Sequence, residues 1–283
     1  MTLPIVERLA AAPAPPGIDP AVTTEWLVAF LRDELLERRG ITRAVLGLSG
    51  GVDSAVTAFL CARALGPENV YAIRMPYKTS HPSSLRDAQL VVDALAISCR
   101  TIEISDAVDG YLQFEPDAGA RRRGNVMART RMVVLFDQSA KLDALPIGTG
   151  NKTERLLGYF TWHADDTPPV NPIGDLFKSQ IWELARYLGV PQRLIEKAPT
   201  ADLQADQTDE ADLGISYARA DAILEQLLVG YSDAQLVDRG FAAGEIALVR
   251  GRVDSTHWKR HLPTTAMLSN TAINEFYLRP VDY

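Results

Sequence analysis

The sequence predicts an α/β fold: one parallel β-sheet flanked by helices on both faces, in a single domain. Three observations carry this. Short apolar runs alternate with longer stretches of helical periodicity. The runs are continuously apolar, as in strands buried on both faces. A glycine-rich turn, Ser49-Gly50-Gly51-Val52-Asp53-Ser54, joins the first run directly to a helix, the position at which parallel sheets bind ligands.

The bulk properties agree. With 283 residues and 47% hydrophobic content, the chain can bury a full core. Its 23% charged residues exclude wholesale disorder. A balance of 29 basic against 36 acidic residues, net −7, argues against a nucleic-acid partner held by a global positive field. Cys61 and Cys99 are too few for a disulfide framework or a four-cysteine zinc site, and both read as small buried hydrophobes. No apolar run reaches the roughly 20 residues that span a bilayer. The N-terminus lacks the pattern of a signal peptide. A cytoplasmic setting without a membrane partner is expected.

Taken in order, residues 1–20 are Ala/Pro-rich and read as an arm, because Pro13, Pro15, Pro16 and Pro20 forbid a continuous helix. The domain is expected over 21–262, and 263–283 as a tail packed on it or on a dimer partner. From Ala21, Trp26, Leu27, Phe30, Leu31, Leu35 and Leu36 share a helical face that Gly40 ends. Ala44–Leu48 is the first strand, and a helix is expected over Ala55–Leu65. The next strand is Asn69–Met75. An amphipathic helix follows over Ser83–Ile97, with Leu85, Leu90, Val91 and Leu95 as its apolar side. Arg100–Ile104 is the third strand, Asn125–Lys141 a helix and Leu145–Ile147 the fourth strand. Arg121-Arg122-Arg123 reads as a solvated loop run. Residues 163–175 are turn-rich, Lys178–Leu188 is helical, and 199–212 is polar, acidic and mobile.

The turn carries the chemistry. Its glycines let backbone approach an anion closely. The free N–H groups and dipole of the helix start favour phosphate. Asp53 is out of place in an anion nest unless a metal bridges it to the phosphates, and Mg²⁺ suits one or two carboxylates plus phosphate oxygens. Neither a Walker loop nor a dinucleotide G-x-G-x-x-G loop is present.

The hexapeptide resembles the pyrophosphate loop of the ATP pyrophosphatases. Further motifs narrow the resemblance: MPYKTS at 75–80, GNVMARTRM at 124–132, GTGNKTE at 148–154, GYFT at 158–161, NPIGDLFKSQ at 171–180, KAPTADL at 197–203 and QTDEADLGISY at 207–217. Together they are similar to the ammonia-dependent NAD synthetase family, in order, from about Ala21 to Arg260. The resemblance implies an ATP-dependent amide ligase that adenylates a carboxylate, deamido-NAD in the family, with release of pyrophosphate. Ammonia then displaces AMP. Gly47, Leu48, Ser49, Gly50, Gly51, Val52, Asp53 and Ser54 would hold the ATP phosphates, with Thr149, Lys178 and Thr200 also on ATP. Asp53 and Glu154 would ligate Mg²⁺. Lys178 would steady the transferring phosphates, and Asp165 would take a proton from ammonium. Arg129 matches a substrate-contacting position, and of Arg129 and Arg131 one is expected to enter the site, since they face differently on a helix. A homodimer is implied. So is free ammonia, or ammonia from a separate glutaminase, because 283 residues leave no room for the amidohydrolase domain of the glutamine-using form.

The chain departs from the family where the carboxylate substrate binds. The family lysine is Trp162, the family aspartate is Pro169, and the family His-Lys-Arg is Trp258-Lys259-Arg260. Trp162, Trp258 and Lys259 are therefore the candidate substrate contacts. Two readings stay open: an NAD synthetase with a rearranged substrate loop, or a paralogue amidating another, aromatic or small, carboxylic acid. A non-catalytic ATP-binding module and a cysteine-dependent sulfur transferase are the contrasting classes.

Overall fold

A computed structural model describes residues 12–200, 208–261, 266 and 268. Most of the arm and tail, and the centre of the acidic segment, lie outside the described residues. At the centre is a four-stranded, all-parallel sheet of order β3-β2-β1-β4: β1 Ala44–Gly47, β2 Val70–Arg74, β3 Ser98–Thr101 and β4 Leu145–Pro146. An isolated parallel bridge from Ile147 to Val170 extends it by one position. The order reverses between β1 and β4. That switch point leaves a crevice at the carboxyl ends of the strands.

Strand pleating decides which residue meets which layer. Ala44 and Leu46 of β1, with Val70 and Ala72 of β2, pack against α1 (Pro20–Arg32), α2 (Val52–Leu65), α7 (Lys178–Leu188) and α8 (Gln192–Glu196). Val45 and Ile73 point the other way, against α5 (Ala120–Leu142). Continuous apolar runs are what burial on both faces demands. A second cluster joins α6 (Lys152–Leu157), α10 (Tyr217–Leu228), α11 (Asp233–Asp238) and α12 (Ala243–Thr256) around buried Tyr217, Ile223 and Leu236. Residues 12–19 run beside α7, where the Ile18 N–H donates to Glu183 at 3.1 Å.

Several element boundaries differ from expectation, each for a local reason. Trp26 and Phe30 are 74% and 39% exposed, while Leu31 and Leu35 are fully buried. A wider π-type turn over Asp33–Glu37 follows α1 and brings Leu35 inward. Helix α2 starts at Val52 rather than Ala55, so Asp53 and Ser54 lie in its first turn. In α3 (Pro82–Leu95) the buried face is Ser84, Asp87, Ala88 and Val91, and Leu90 is exposed. Ala96, in the left-handed region, ends that helix. The chain therefore enters β3 at Ser98 instead of Arg100. Arg121–Arg123 form the start of α5, not a loop, with Arg122 paired to Glu115. Four short helices, α4 (Ser105–Leu112), α6, α8 and α9 (Asp209–Leu213), have no counterpart in the periodicity reading, and α9 is helical where the acidic segment was expected to be mobile.

Candidate active site

The crevice is a cavity of about 340 Å³, lined by the 47–54 turn, the ends of β2 and β4, α6, the 159–168 loop, Lys178 and the 197–200 segment. That volume falls in the range of small-molecule sites.

The turn folds on its own hydroxyls. The Ser49 and Ser54 Oγ atoms lie 3.1 Å apart, Gly51 N–H donates to Ser49 Oγ, and Ser54 Oγ donates to the Gly51 carbonyl. Gly50 sits at φ +80°, in the left-handed region.

Beneath the turn lies a buried charge cluster. Lys178 opens α7 and is only 2% exposed. Its Nζ donates to Asp53 Oδ2, reaches Glu154 Oε1 at 3.5 Å, and stands 5.1 Å over the Tyr217 ring. A cation at a helix start opposes the macrodipole; these carboxylates compensate it. Burial alone would lower the Lys178 amine, but Asp53 and Glu154 outweigh it and raise its pKa. Burial pushes Glu154 up to about 8 against the pull of Lys178, with Asp53 and Asp209 adding to the rise. Asn151, fully buried, ties the cluster together: it donates to Asp53 Oδ1 at 2.9 Å and accepts from Glu154 N–H as the cap of α6.

Asp221 anchors the frame from behind. Fully buried on α10, it accepts from Thr153 Oγ1 at 2.6 Å and from Ser179 N–H at 2.8 Å. The same Thr153 hydroxyl accepts from Lys178 N–H. Asp209 of α9 (Asp209–Leu213) lines the cavity and accepts from Tyr217 and Tyr159 hydroxyls.

Across the cavity, the Asp165 carboxylate accepts from Thr161 N–H at 2.8 Å. The protein packed around its carboxyl pushes its pKa above the usual carboxylate range, against the opposing pull of the Thr161 hydrogen bond and Arg131.

Every residue assigned to ATP or metal from the sequence except Gly50 borders this cavity: Gly47, Leu48, Ser49, Gly51, Val52, Asp53, Ser54, Thr149, Glu154, Lys178 and Thr200, together with Asp165. Gly50 lies within the same turn. Arg129, Trp162, Trp258 and Lys259 do not line the cavity; they form a second group behind the 159–168 loop. Trp162 and Trp258 meet edge to face at 5.2 Å, and Arg129 donates to the Trp162 carbonyl at 3.0 Å. Lys259 donates to the Gly158 and Phe160 carbonyls and lies 4.2 Å from the Phe160 ring. Of the two arginines considered, Arg131 lines the cavity, with its Nε on the Met75 carbonyl.

Asn151, Thr153, Asp209 and Tyr217 lie within the sequence motifs but have no role assigned there, and Asp221 lies outside them. Asn151 had a readable signal, the N-x-x-E capping spacing with Glu154. Asp221 had none, since an acid within an amphipathic helix reads as solvated until its partners are seen.

The cysteines stand apart. Cys61 is fully buried, and burial pushes its thiol up to about 12. Burial likewise raises Cys99. Thiolate is the reactive form. Native protein should therefore react with a thiol probe only on unfolding at Cys61, and Cys61→Ser and Cys99→Ser should keep turnover. Abolished turnover in either would revive cysteine chemistry.

A glycine-rich turn opening a helix at a parallel-sheet switch point, above a lysine–dicarboxylate cluster, defines an α/β protein built to take an anionic ligand at the carboxyl ends of its strands. Comparison with known proteins narrows this. The family model described as NAD synthase matches residues 23–263, and the chain belongs to that family. It is 47% identical to the NH(3)-dependent NAD(+) synthetase of Trichlorobacter lovleyi over 259 residues, 91% of this chain and 94% of that one. Among solved structures it resembles an NMN synthetase from Francisella tularensis, with TM-score 0.79, 31% identity, and coverage of 88% and 99% of the two chains. It also resembles an NH3-dependent NAD synthetase from Campylobacter jejuni, with TM-score 0.76, 34% identity, and coverage of 88% and 100%. The family consists of ATP-dependent, AMP-forming ligases. No helix among the described residues is long and apolar enough to cross a membrane.

Proposed function

We propose that this chain is an ammonia-dependent NAD synthetase acting on deamido-NAD. The observation that carries the reading is one cavity with the phosphate loop and the Asp53–Lys178–Glu154 cluster on one side and Asp165 on the other.

The chemistry follows in two steps. A carboxylate oxygen of deamido-NAD attacks the α-phosphorus of ATP. The bond to the bridging oxygen breaks, and pyrophosphate leaves with the electron pair. The loop N–H groups and Lys178 hold the charge that collects on it, which is the larger part of catalysis in phosphoryl and nucleotidyl transfer. Ammonia then attacks the acyl carbon and AMP departs. Asp165 takes the proton that ammonium must lose, and the rise in its pKa is in the direction that favours accepting one.

The donor set fits Mg²⁺. Asp53, Glu154 and Asp209 surround one lysine, leaving excess negative charge of hard oxygen ligands. No group of three or more His, Cys, Asp or Glu side chains among the described residues is arranged to hold a metal alone. Two carboxylates plus substrate phosphate oxygens are what Mg²⁺ favours. When bound, it would neutralise charge on the leaving pyrophosphate.

A homodimer completes the reading. On α5, Arg129 donates to the Trp162 carbonyl, and Val133 and Phe136, at i+4 and i+7 from it, leave apolar surface exposed on the same helix. Sedimentation should give twice the chain mass.

A second reading rests on that aromatic pair and on the resemblance to an NMN synthetase: a smaller, deamido-mononucleotide substrate. Pyrophosphate release with ATP, Mg²⁺ and ammonium decides. Stimulation by deamido-NAD with NAD appearing in step supports the first reading. Preference for deamido-NMN supports the second, and no stimulation by either overturns both. Asp165→Asn should lower kcat/KM for ammonium by about 10²-fold or more and leave the KM for ATP unchanged. A uniform loss in both constants would remove Asp165 from the proton step.

A further inference from the structure

We infer that Lys197 is a further catalytic residue, contacting the departing pyrophosphate from the Gly50 end of the loop while Lys178 works from the Asp53 end. The inference rests on the nucleotidyl transfer proposed above. There the bond from the α-phosphorus to the bridging oxygen breaks, and the electron pair leaves with pyrophosphate.

Lys197 follows α8 and lines the cavity. Its Nζ lies 3.3 Å from the Gly50 carbonyl, against the turn that receives the phosphates. The same Nζ lies 2.9 Å from Asp87 Oδ2. An ammonium has three donors, so these contacts leave one for a phosphate oxygen. Asp87 is 1% exposed and also pairs with Arg193. Two cations share one carboxylate, so the cluster carries a surplus positive charge beside the loop.

The placement is built in. Ser84 and Asp87 lie one turn apart on the buried face of α3. Ser84 abuts Gly50 through its backbone carbonyl, and Asp87 holds Lys197. One helix face thus sets both the loop and its cation. It also explains why the buried face of this helix carries an acid.

Titration of magnesium pyrophosphate into the full-length protein tests this directly, alongside turnover. Lys197→Met should weaken pyrophosphate binding by about tenfold or more and slow pyrophosphate release by about 10²-fold. Lys197→Arg should restore a large part of both. Arg193→Met removes a cation from the same carboxylate but lies outside the cavity, and should leave pyrophosphate affinity unchanged. Lys197→Gln serves if the methionine variant does not fold. Unchanged pyrophosphate affinity on loss of Lys197 overturns the inference, as does an equal loss in Arg193→Met, which would mean that loosening of α3 is responsible. Wild-type protein that binds pyrophosphate through Lys197 yet amidates no deamido-NAD sinks the functional reading and leaves this one standing.

Discussion

Lys178→Met should abolish turnover and weaken the fold together. The side chain is 2% exposed, and its ammonium is the counter-charge of Asp53 and Glu154. Removing one partner of a buried pair strands the other, at a cost of about 3–5 kcal/mol. Two carboxylates would then face each other without a cation between them. Protonation would relieve part of that cost, since burial already pushes Glu154 up to about 8. The sign follows from proton binding. A carboxyl whose folded pKa exceeds its unfolded value binds more protons when folded, so stability falls as pH rises through that window. The variant should therefore gain stability in urea as pH drops from about 8 to about 5, more steeply than wild type. Turnover would stay lost across the whole range, because Lys178 no longer steadies the leaving group from the Asp53 end of the loop. A urea midpoint equal to wild type at pH 8 would show that Lys178 does not balance the two acids.

How far this was readable from sequence depends on distance along the chain. The sheet was legible because strand and helix patterns are local, and burial on both faces leaves a continuous apolar run, as in Ala44–Gly47. The glycine turn into α2 was legible for the same reason. Asp53, Glu154 and Lys178 could be singled out through resemblance, but their meeting joins residues 98 and 125 positions apart in sequence through Asn151 and Lys178. Polar residues buried on otherwise helical faces were the systematic gap. Asp87 and Asp221 each break the apolar pattern of a helix, and only their distant partners, Lys197 and Thr153, explain why. Lys259 shows the opposite case. The family resemblance gave it to substrate, whereas here it is engaged with the Gly158 and Phe160 carbonyls. That contact fixes the loop carrying Asp165 from behind.

Gly50→Ala should break the phosphate turn, while Gly51→Ala leaves the fold nearly intact. A Cβ on Gly50 would lie 2.3 Å from the Ser84 carbonyl oxygen and 3.1 Å from Ala88 N. Both are backbone atoms of α3, so no rotamer change relieves the clash. Its φ of +80° adds strain that L side chains resist. Strain and overpacking together should cost about 2–5 kcal/mol. The helix can yield only by moving, and it would carry Asp87 away from Lys197. A Cβ on Gly51 meets only the Ser49 hydroxyl, at 3.3 Å, and its φ of −98° is open to any residue. Thermal melting should therefore separate two adjacent and chemically identical substitutions. ATP binding should separate them differently: Gly50→Ala should lose it through the collapsed turn. Gly51→Ala should weaken it only by crowding the cavity wall to which that glycine belongs. Equal melting temperatures for the two variants would mean that α3 does not pin the turn, and that its conformation is set by the Ser49–Ser54 hydroxyl contacts alone.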